Sequence, residues 1–107
     1  MSKFKIFVGI NNQYYFRFNA SNGEQILASE GYTSKANCKN GIESVKTLSP
    51  YDSSYKRSDE QRNYRFNMVA TNGQIVARSS EGYTTSQNRE NAIGIVKRDA
   101  KSAPTEE

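Results

Sequence analysis

The residues best placed for acid–base chemistry are two glutamates at equivalent positions in the chain. Glu30 and Glu81 each precede a Gly-Tyr-Thr segment. Held together, two carboxylates could act as general acid and base. The alternative is that each lies before a helix N-terminus and interacts favourably with its dipole. Histidine, the usual base near neutral pH, is absent. We therefore predict no catalytic residue, no metal site, no cofactor and no enzyme activity.

The single cysteine gives little scope for thiol chemistry. Cys38 cannot form an intramolecular disulfide or build a zinc site by itself. It shares a helical stripe with Ile42 and Val45, which predicts a core thiol, and a reactive thiol near a helix N-terminus is the alternative. A chain without a disulfide is typical of the reducing cytoplasm, and we expect that location. The N-terminus lacks the apolar run of a signal peptide, and no segment reaches the ~20 apolar residues of a membrane span.

A mixture of basic and aromatic residues falls on outward strand positions and is the candidate face for a ligand or partner. Its members are Lys5, Phe7, Tyr15, Arg17, Arg65, Asn67 and Arg78, and the same pattern also places Lys3, Ile26, Val69 and Val76 outward. Such a face predicts a non-enzymatic module for protein interaction or self-association. The alternative is weak binding of single-stranded nucleic acid or another polyanion. The net charge of +4, from 15 basic and 11 acidic residues, is too mild to favour nucleic acid. A monomer is preferred to a homodimer.

These residues lie in a sequence that repeats itself. The first repeat contains Asn22, Gly23, Glu30, Gly31 and Tyr32. The second contains their counterparts Asn72, Gly73, Glu81, Gly82 and Tyr83. Alternating apolar residues followed by helical spacing predict three strands and a helix in each repeat. We predict one α+β domain over 1–100, with repeats at 3–49 and 51–100 and a disordered tail over 101–107.

The turn sequences predict how the strands pair. Asn-Gly favours two-residue type I′ hairpins, which would place Phe18 opposite Leu27. In the second repeat the same turn predicts the pairs Met68–Ala77 and Ala70–Ile75. A three-residue loop over 11–13 would place Val8 opposite Phe16 and Ile6 opposite Phe18. The second repeat has one extra residue, for which we predict a β-bulge at Arg78–Ser79.

Each helix follows a Gly-Tyr-Thr segment. Thr33 or Ser34, and Thr84 or Thr85, are the candidate N-caps. Gly31 and Gly82 would turn the chain from strand to helix, with Tyr32 and Tyr83 packed beside the sheet. Gly41 aligns with Ala92, which predicts a small residue where helix and sheet meet closely. The first helix should end at Pro50. A strand over 53–57 and a polar loop over 58–62 would then open the second repeat.

The combination of Phe-Lys-Ile-Phe, Tyr-Tyr-Phe-Arg-Phe-Asn-Ala-Ser-Asn-Gly and Ser-Glu-Gly-Tyr-Thr-Ser-Lys resembles the YegP-like family of small, mostly bacterial, uncharacterised proteins. The resemblance extends over nearly the whole chain. It implies tandem βββα units of antiparallel strands, related by a pseudo-twofold axis, with one helix per repeat on the sheet. It implies no activity. The second helix departs from the pattern at Arg89, Glu90 and Gly94.

Overall fold

The structure is a computed structural model that describes residues 1–107 and consists of one sheet and two helices. The strands are β1 (Lys3–Val8), β2 (Tyr14–Asn19), β3 (Gln25–Ala28), β4 (Tyr55–Glu60), β5 (Asn63–Val69), β6 (Ile75–Ser79) and β7 (Thr105–Glu106). The helices are α1 (Lys35–Leu48) and α2 (Ser86–Asp99). The α+β class is confirmed. Neither helix is long and apolar enough to cross a bilayer.

The two repeats join into one seven-stranded sheet. Its order is β4-β5-β6-β3-β2-β1-β7, so the equivalent strands β3 and β6 meet at the centre. They pair antiparallel, as a twofold axis perpendicular to the sheet would require. Helix α1 contacts β2 of its own repeat and also β5 and β6 of the other repeat. The two repeats therefore share a core.

The C-terminal segment corrects two predictions. Residues 101–107 are ordered: a 3₁₀ turn over Ala100–Ser102 contacts both helices, and Ala103 is buried. The segment then forms β7, which pairs parallel with β1. The sheet is consequently mixed rather than wholly antiparallel, and β7 is an addition to the predicted βββα units. The polar composition of this segment had indicated disorder, but the two buried alanines anchor it.

The predicted register between β1 and β2 was wrong by two residues. Val8 pairs with Tyr14, and Ile6 pairs with Phe16. The loop is odd in length, as predicted, but spans residues 9–13 and includes Asn12 at φ 62°. An even shift leaves every side chain on its predicted face, so Phe4 and Ile6 still enter the core. Val8 at the strand end is 55% exposed.

The Asn-Gly turns are not of type I′, because only the glycines have positive φ, 87° at Gly23 and 85° at Gly73. In the first, the Gly23 amide donates to the Ala20 carbonyl and the Ala20 amide donates to the Glu24 carbonyl. Asn22 Oδ1 accepts from the Glu24 amide at 2.9 Å. This three-residue loop closes in a bulge, after which the register returns to that predicted.

The bulges make two of the three pairs predicted across these turns correct. Phe18 faces Leu27 and Met68 faces Ala77, as predicted. Ile75, however, pairs with Val69 rather than with Ala70.

The extra residue of the second repeat lies later than predicted. Arg78 and Ser79 pair regularly with Ala28 and Leu27, so no bulge occurs there. Ser29 Oγ accepts from the Phe16 amide, and Ser79 Oγ accepts from the Phe66 amide. These two serines are therefore equivalent, and the extra residue falls between Ser79 and Tyr83. The alignment of Glu30 with Glu81 in the sequence would instead have matched Ser29 with Ser80.

Both helices begin where the sequence predicted, and the first also ends there. Ser34 Oγ accepts from the Asn37 amide, and Thr85 Oγ1 accepts from the Asn88 amide. Helix α1 ends before Pro50. The strand predicted over 53–57 begins instead at Tyr55, because a 3₁₀ turn takes Asp52–Ser54, and continues through Glu60.

The core lies between the helices and one face of the sheet. It contains Phe4, Phe16, Phe18, Leu27, Phe66 and Met68 from the strands, and Cys38, Ile42, Val45, Ala92, Ile93 and Val96 from the helices. All of the predicted helical core positions are buried. The opposite face of the sheet has no helix over it.

Candidate functional site

The candidate site is the sheet surface opposite the helices, which we call the helix-free face. The seven predicted members Lys5, Phe7, Tyr15, Arg17, Arg65, Asn67 and Arg78 all lie on it. They alternate along their strands with buried residues such as Phe16 and Phe66, so the strand period alone sets their direction. None of the seven is buried.

One row of directly paired residues crosses this face. Each of six strands contributes one residue to the row, in the order Lys5, Arg17, Ala28, Arg78, Asn67 and Lys56. Five spacings of about 4.8 Å give the row a length of about 24 Å. Four of its six residues are cationic. Equivalent strands of both repeats thus contribute cations to one row that crosses the β3–β6 junction.

An aromatic group stands beside this row. The Phe7 and Tyr15 rings are nearly parallel, with centroids 5.6 Å apart. The Arg17 guanidinium lies over the Phe7 ring, 4.3 Å from its centroid. Together with Gln25, Ala28 and Ser29, these three residues line a shallow groove of about 270 Å³. The groove offers a planar cation and aromatic edges to a partner.

Carboxylates neutralise part of the face. Arg78 contacts Glu30 at 2.6 Å, and Glu106 contacts Lys3 at 2.8 Å and Lys5 at 3.6 Å. The hydrogen bond from Lys3 lowers the pKa of Glu106. Arg17, Lys56 and Arg65 have no carboxylate partner. Arg65 donates instead to Asn63 Oδ1 at 3.1 Å.

The glutamate hypothesis receives no support from this geometry. Glu30 pairs with Arg78 across the junction of the repeats rather than with Glu81, which has no ion-pair partner. No three His, Cys, Asp or Glu side chains come together anywhere in the structure. Burial raises the pKa of Cys38, and its predicted core position is confirmed.

Gly31 and Gly82 lie where a polar side chain approaches the backbone closely. Neither has positive φ. A Cβ at Gly31 would collide with Gln13 Oε1, and one at Gly82 would collide with Asn63 Oδ1. The strand-to-helix turn is therefore close to Gln13, just before β2, in the first repeat and to Asn63, the first residue of β5, in the second.

The tyrosines that follow these glycines extend the sheet. Tyr32 exchanges two backbone hydrogen bonds of 2.8 Å with Tyr14, and Tyr83 does the same with Tyr64. Both pack beside the sheet, as predicted. They differ in burial: Tyr83 is 8% exposed, and its hydroxyl is buried without a hydrogen-bond partner.

Two predicted outward residues behave differently. Ile26 is fully buried, because the bulge after the turn places it on the same side as Leu27. Val76, at the same place in the second repeat, packs against the core. Val69 is half-buried at the end of β5 and alternates with the buried Met68, as predicted. Lys56 was not among the predicted members, because the strand predicted over 53–57 had no predicted register to show which face its side chains occupy.

The second repeat also carries an ionic cluster on the helix side. Arg89, only 5% exposed, contacts Asp59 and donates to Glu90 at 3.0 Å. Arg57 donates to Glu90 at 2.8 Å and to Asp52 at 2.9 Å. The hydrogen bond from Arg57 is the largest cause of the lowered pKa of Glu90. These contacts tie β4 to α2, which explains why this helix departs from the repeat pattern.

Comparison with known proteins agrees with the duplicated fold. The family model described as a domain of unknown function, DUF1508, matches the chain twice, at residues 11–55 and 59–107. A UPF0339 protein of Bordetella pertussis is 43% identical over 108 residues, which cover 100% of this chain and 96% of the relative. The chain belongs to this DUF1508 (UPF0339) family. The UPF0339 protein YegP of Escherichia coli K12 is 41% identical over 92% of this chain and 90% of its own. The resemblance to the YegP-like family is therefore confirmed.

Two solved structures of this family have the same fold. The solution NMR structure of a UPF0339 protein from Shewanella oneidensis superposes with a TM-score of 0.90 at 35% identity, covering 98% of this chain and 89% of the other. The solution NMR structure of yegP from E. coli, described as a protein of unknown function, gives 0.88 at 38% identity, with 98% and 90% covered.

Proposed function

We propose that this family member is a non-enzymatic binding module of the cytoplasm, and that its helix-free face binds an acidic surface of another protein. The basic row across six strands, which no element of the chain covers, is the observation that carries the proposal. An exposed face of mixed aromatic and basic character is a common interaction surface. Arg17 supplies a planar cation, and Phe7 and Tyr15 supply apolar area.

The charges on the face favour a different protein as partner over a second copy. Arg17, Lys56 and Arg65 have no carboxylate partner within the chain. Two identical faces brought together would oppose cation to cation, which costs free energy. A partner that presents Asp and Glu would instead satisfy these cations and steer the encounter.

Single-stranded nucleic acid is the second candidate, because the row spaces its cations over about 24 Å, the length of several nucleotides. The aromatic group argues against it. Binding platforms of this kind need a free ring face on which a base can stack. The Phe7 ring already has the Arg17 guanidinium over it and Tyr15 alongside. A base would have to displace a contact that exists within the chain.

The test is affinity capture from a bacterial extract with the full chain and two charge-reversal variants. Arg17→Glu/Arg65→Glu alters the helix-free face at two side chains that form no ion pair. Arg98→Glu/Lys101→Glu makes the same change in net charge on exposed residues near the end of α2. A protein retained by the wild type and by the second variant, and lost by the first, supports the proposal. Equal retention by both variants contradicts it.

Two further measurements separate the alternatives. Fluorescence anisotropy with a 20-mer of thymidine, repeated from 50 to 200 mM salt, tests the nucleic-acid hypothesis. Saturable binding that depends steeply on salt, and that Arg17→Glu/Arg65→Glu abolishes, would favour nucleic acid over a protein partner. Sedimentation equilibrium tests self-association. If the apparent mass rises with protein concentration, the partner of the face is a second copy of this chain and not a different protein.

A further inference from the structure

The outer edge of β1 holds an acidic strand of the same chain. β7 pairs there with Phe4 and Lys5, and the Phe4 amide donates to the Pro104 carbonyl at 2.9 Å. Carboxylates of this segment then meet two pairs of lysines. Glu106 contacts Lys3 at 2.8 Å and Lys5 at 3.6 Å, and Glu107 contacts Lys35 at 3.2 Å and Lys39 at 2.8 Å.

β7 uses only part of this edge. Backbone groups along an antiparallel strand point alternately toward the paired strand and away from it. The backbone N–H and C=O groups of Phe4 point toward β7. The backbone groups of Ile6 and Val8 therefore point away from β2 at the same edge of the sheet. β7 reaches only Phe4 and Lys5. A longer parallel strand would form the same bonds and add those of Ile6 and Val8.

The strand is also weakly held beyond its anchor. Ala103 is buried and fixes the preceding turn. From Pro104 onward the segment depends on a two-residue ladder and on ion pairs between exposed side chains, such as Lys3 and Glu106 at 43% and 49% exposure. Exposed ion pairs of this kind are screened and contribute little. A partner strand with more backbone hydrogen bonds can therefore replace β7.

We propose that the β1 edge, with Lys3 and Lys5 on one side and Lys35 and Lys39 on the other, is a docking site for an extended acidic segment of a partner protein. The segment adds as a strand parallel to β1 and displaces β7. The backbone of the segment forms hydrogen bonds with the outward-pointing N–H and C=O groups of β1. Its successive carboxylates contact the two lysine pairs. This edge site is distinct from the row on the helix-free face, with which it shares only Lys5.

The test is an NMR titration with a synthetic peptide, Ala-Pro-Thr-Glu-Glu-Thr-Val-Thr, and a control in which both glutamates are glutamine. We expect the acidic peptide to shift the amides of residues 4–8 and to bind at least about fivefold more tightly than the control. Glu106→Gln/Glu107→Gln in the full chain should tighten peptide binding several-fold, because the intramolecular competitor is weakened.

Charge reversal keeps the test independent of folding. Lys35→Glu/Lys39→Glu should lose the acidic peptide and gain a peptide with lysines in place of its glutamates. Equal affinity for the glutamate and glutamine peptides would overturn the proposal. So would a dimer of Glu106→Gln/Glu107→Gln in sedimentation, because a second copy would then be the occupant. Lys56→Glu/Arg65→Glu, on β4 and β5 at the far end of the sheet from β1, should leave peptide affinity unchanged, so the edge site can fail or hold whatever the fate of the helix-free face.

Discussion

Two glycines in equivalent environments of secondary structure should respond oppositely to the same substitution. Gly41 and Gly94 both lie inside 14-residue helices, where alanine is favoured over glycine by about 0.8–1.0 kcal/mol. A Cβ at Gly94 would meet nothing within 4 Å. Gly94→Ala should therefore stabilise the protein by about 1 kcal/mol, which raises Tm by about 4 °C for a chain of this size.

Gly41 faces the sheet, and a Cβ there would collide with Tyr32 Oη and lie 2.8 Å from Tyr32 Cζ and 3.1 Å from Phe16 Cε2. Phe16 is fully buried and cannot withdraw freely. Overpacking of this kind costs about 1–3 kcal/mol. After the gain in helix propensity is subtracted, Gly41→Ala should destabilise the protein by about 1 kcal/mol.

Urea unfolding followed by circular dichroism measures both variants. In a Tyr32→Phe background the nearest oxygen is gone, so the cost of Gly41→Ala should fall by about half, although the ring atoms remain close. If Gly41→Ala stabilised the protein as much as Gly94→Ala, the proposed close approach of α1 to the sheet would be wrong.

Three further predictions concern titratable side chains. Burial raises the pKa of Tyr83 to about 12, so its contribution to stability should be complete below pH 10 and decline as the pH rises toward 12. In urea unfolding at different pH values, Tyr83→Phe should remove this decline. Because it also removes an unpaired buried hydroxyl, the variant should raise stability by up to about 1 kcal/mol. Hydrogen bonds from Arg98 and Ser2 lower the pKa of Asp99 to about 2, so its contribution is present above pH 4 and lost as the pH falls toward 2; acid unfolding of Asp99→Asn should lack this component. Arg89→Ala should cost about 2–4 kcal/mol in urea unfolding through lost packing and ion pairs. Arg98→Ala, at a side chain that is 70% exposed, should have a much smaller effect, and equal effects would refute the anchoring role of Arg89.

The strand period predicted the face of nearly every side chain, even where the register was wrong. Val8 was matched with Phe16 and in fact pairs with Tyr14, yet an even shift leaves Phe7 and Tyr15 on the predicted side. The alignment of Gly41 with Ala92 likewise predicted the close approach of α1 to the sheet. These inferences depended on the local periodicity and on the internal duplication, both of which are visible in a single sequence.

Features that depend on one inserted residue or on tertiary anchoring were not predictable. The bulge that buries Ile26 interrupts the alternation that had placed it outward. The Asn-Gly pair fits either a type I′ turn or a three-residue loop, and composition does not distinguish them. The order of the C-terminal segment depends on burial of Ala103, which its polar neighbours conceal. The ion-pair partners of Glu30 and Glu106 could not be predicted without the order of the strands in the sheet.

The proposed binding role of the helix-free face is tested most directly by photo-crosslinking in living cells. A benzoylphenylalanine at position 28 would stand at the centre of the basic row, between Arg17 and Arg78. The same residue at Gln87, exposed on α2, is the control. We expect a discrete crosslinked product, with an acidic protein, from position 28 and none from position 87. Products of equal yield from both positions, or from position 87 alone, would contradict it.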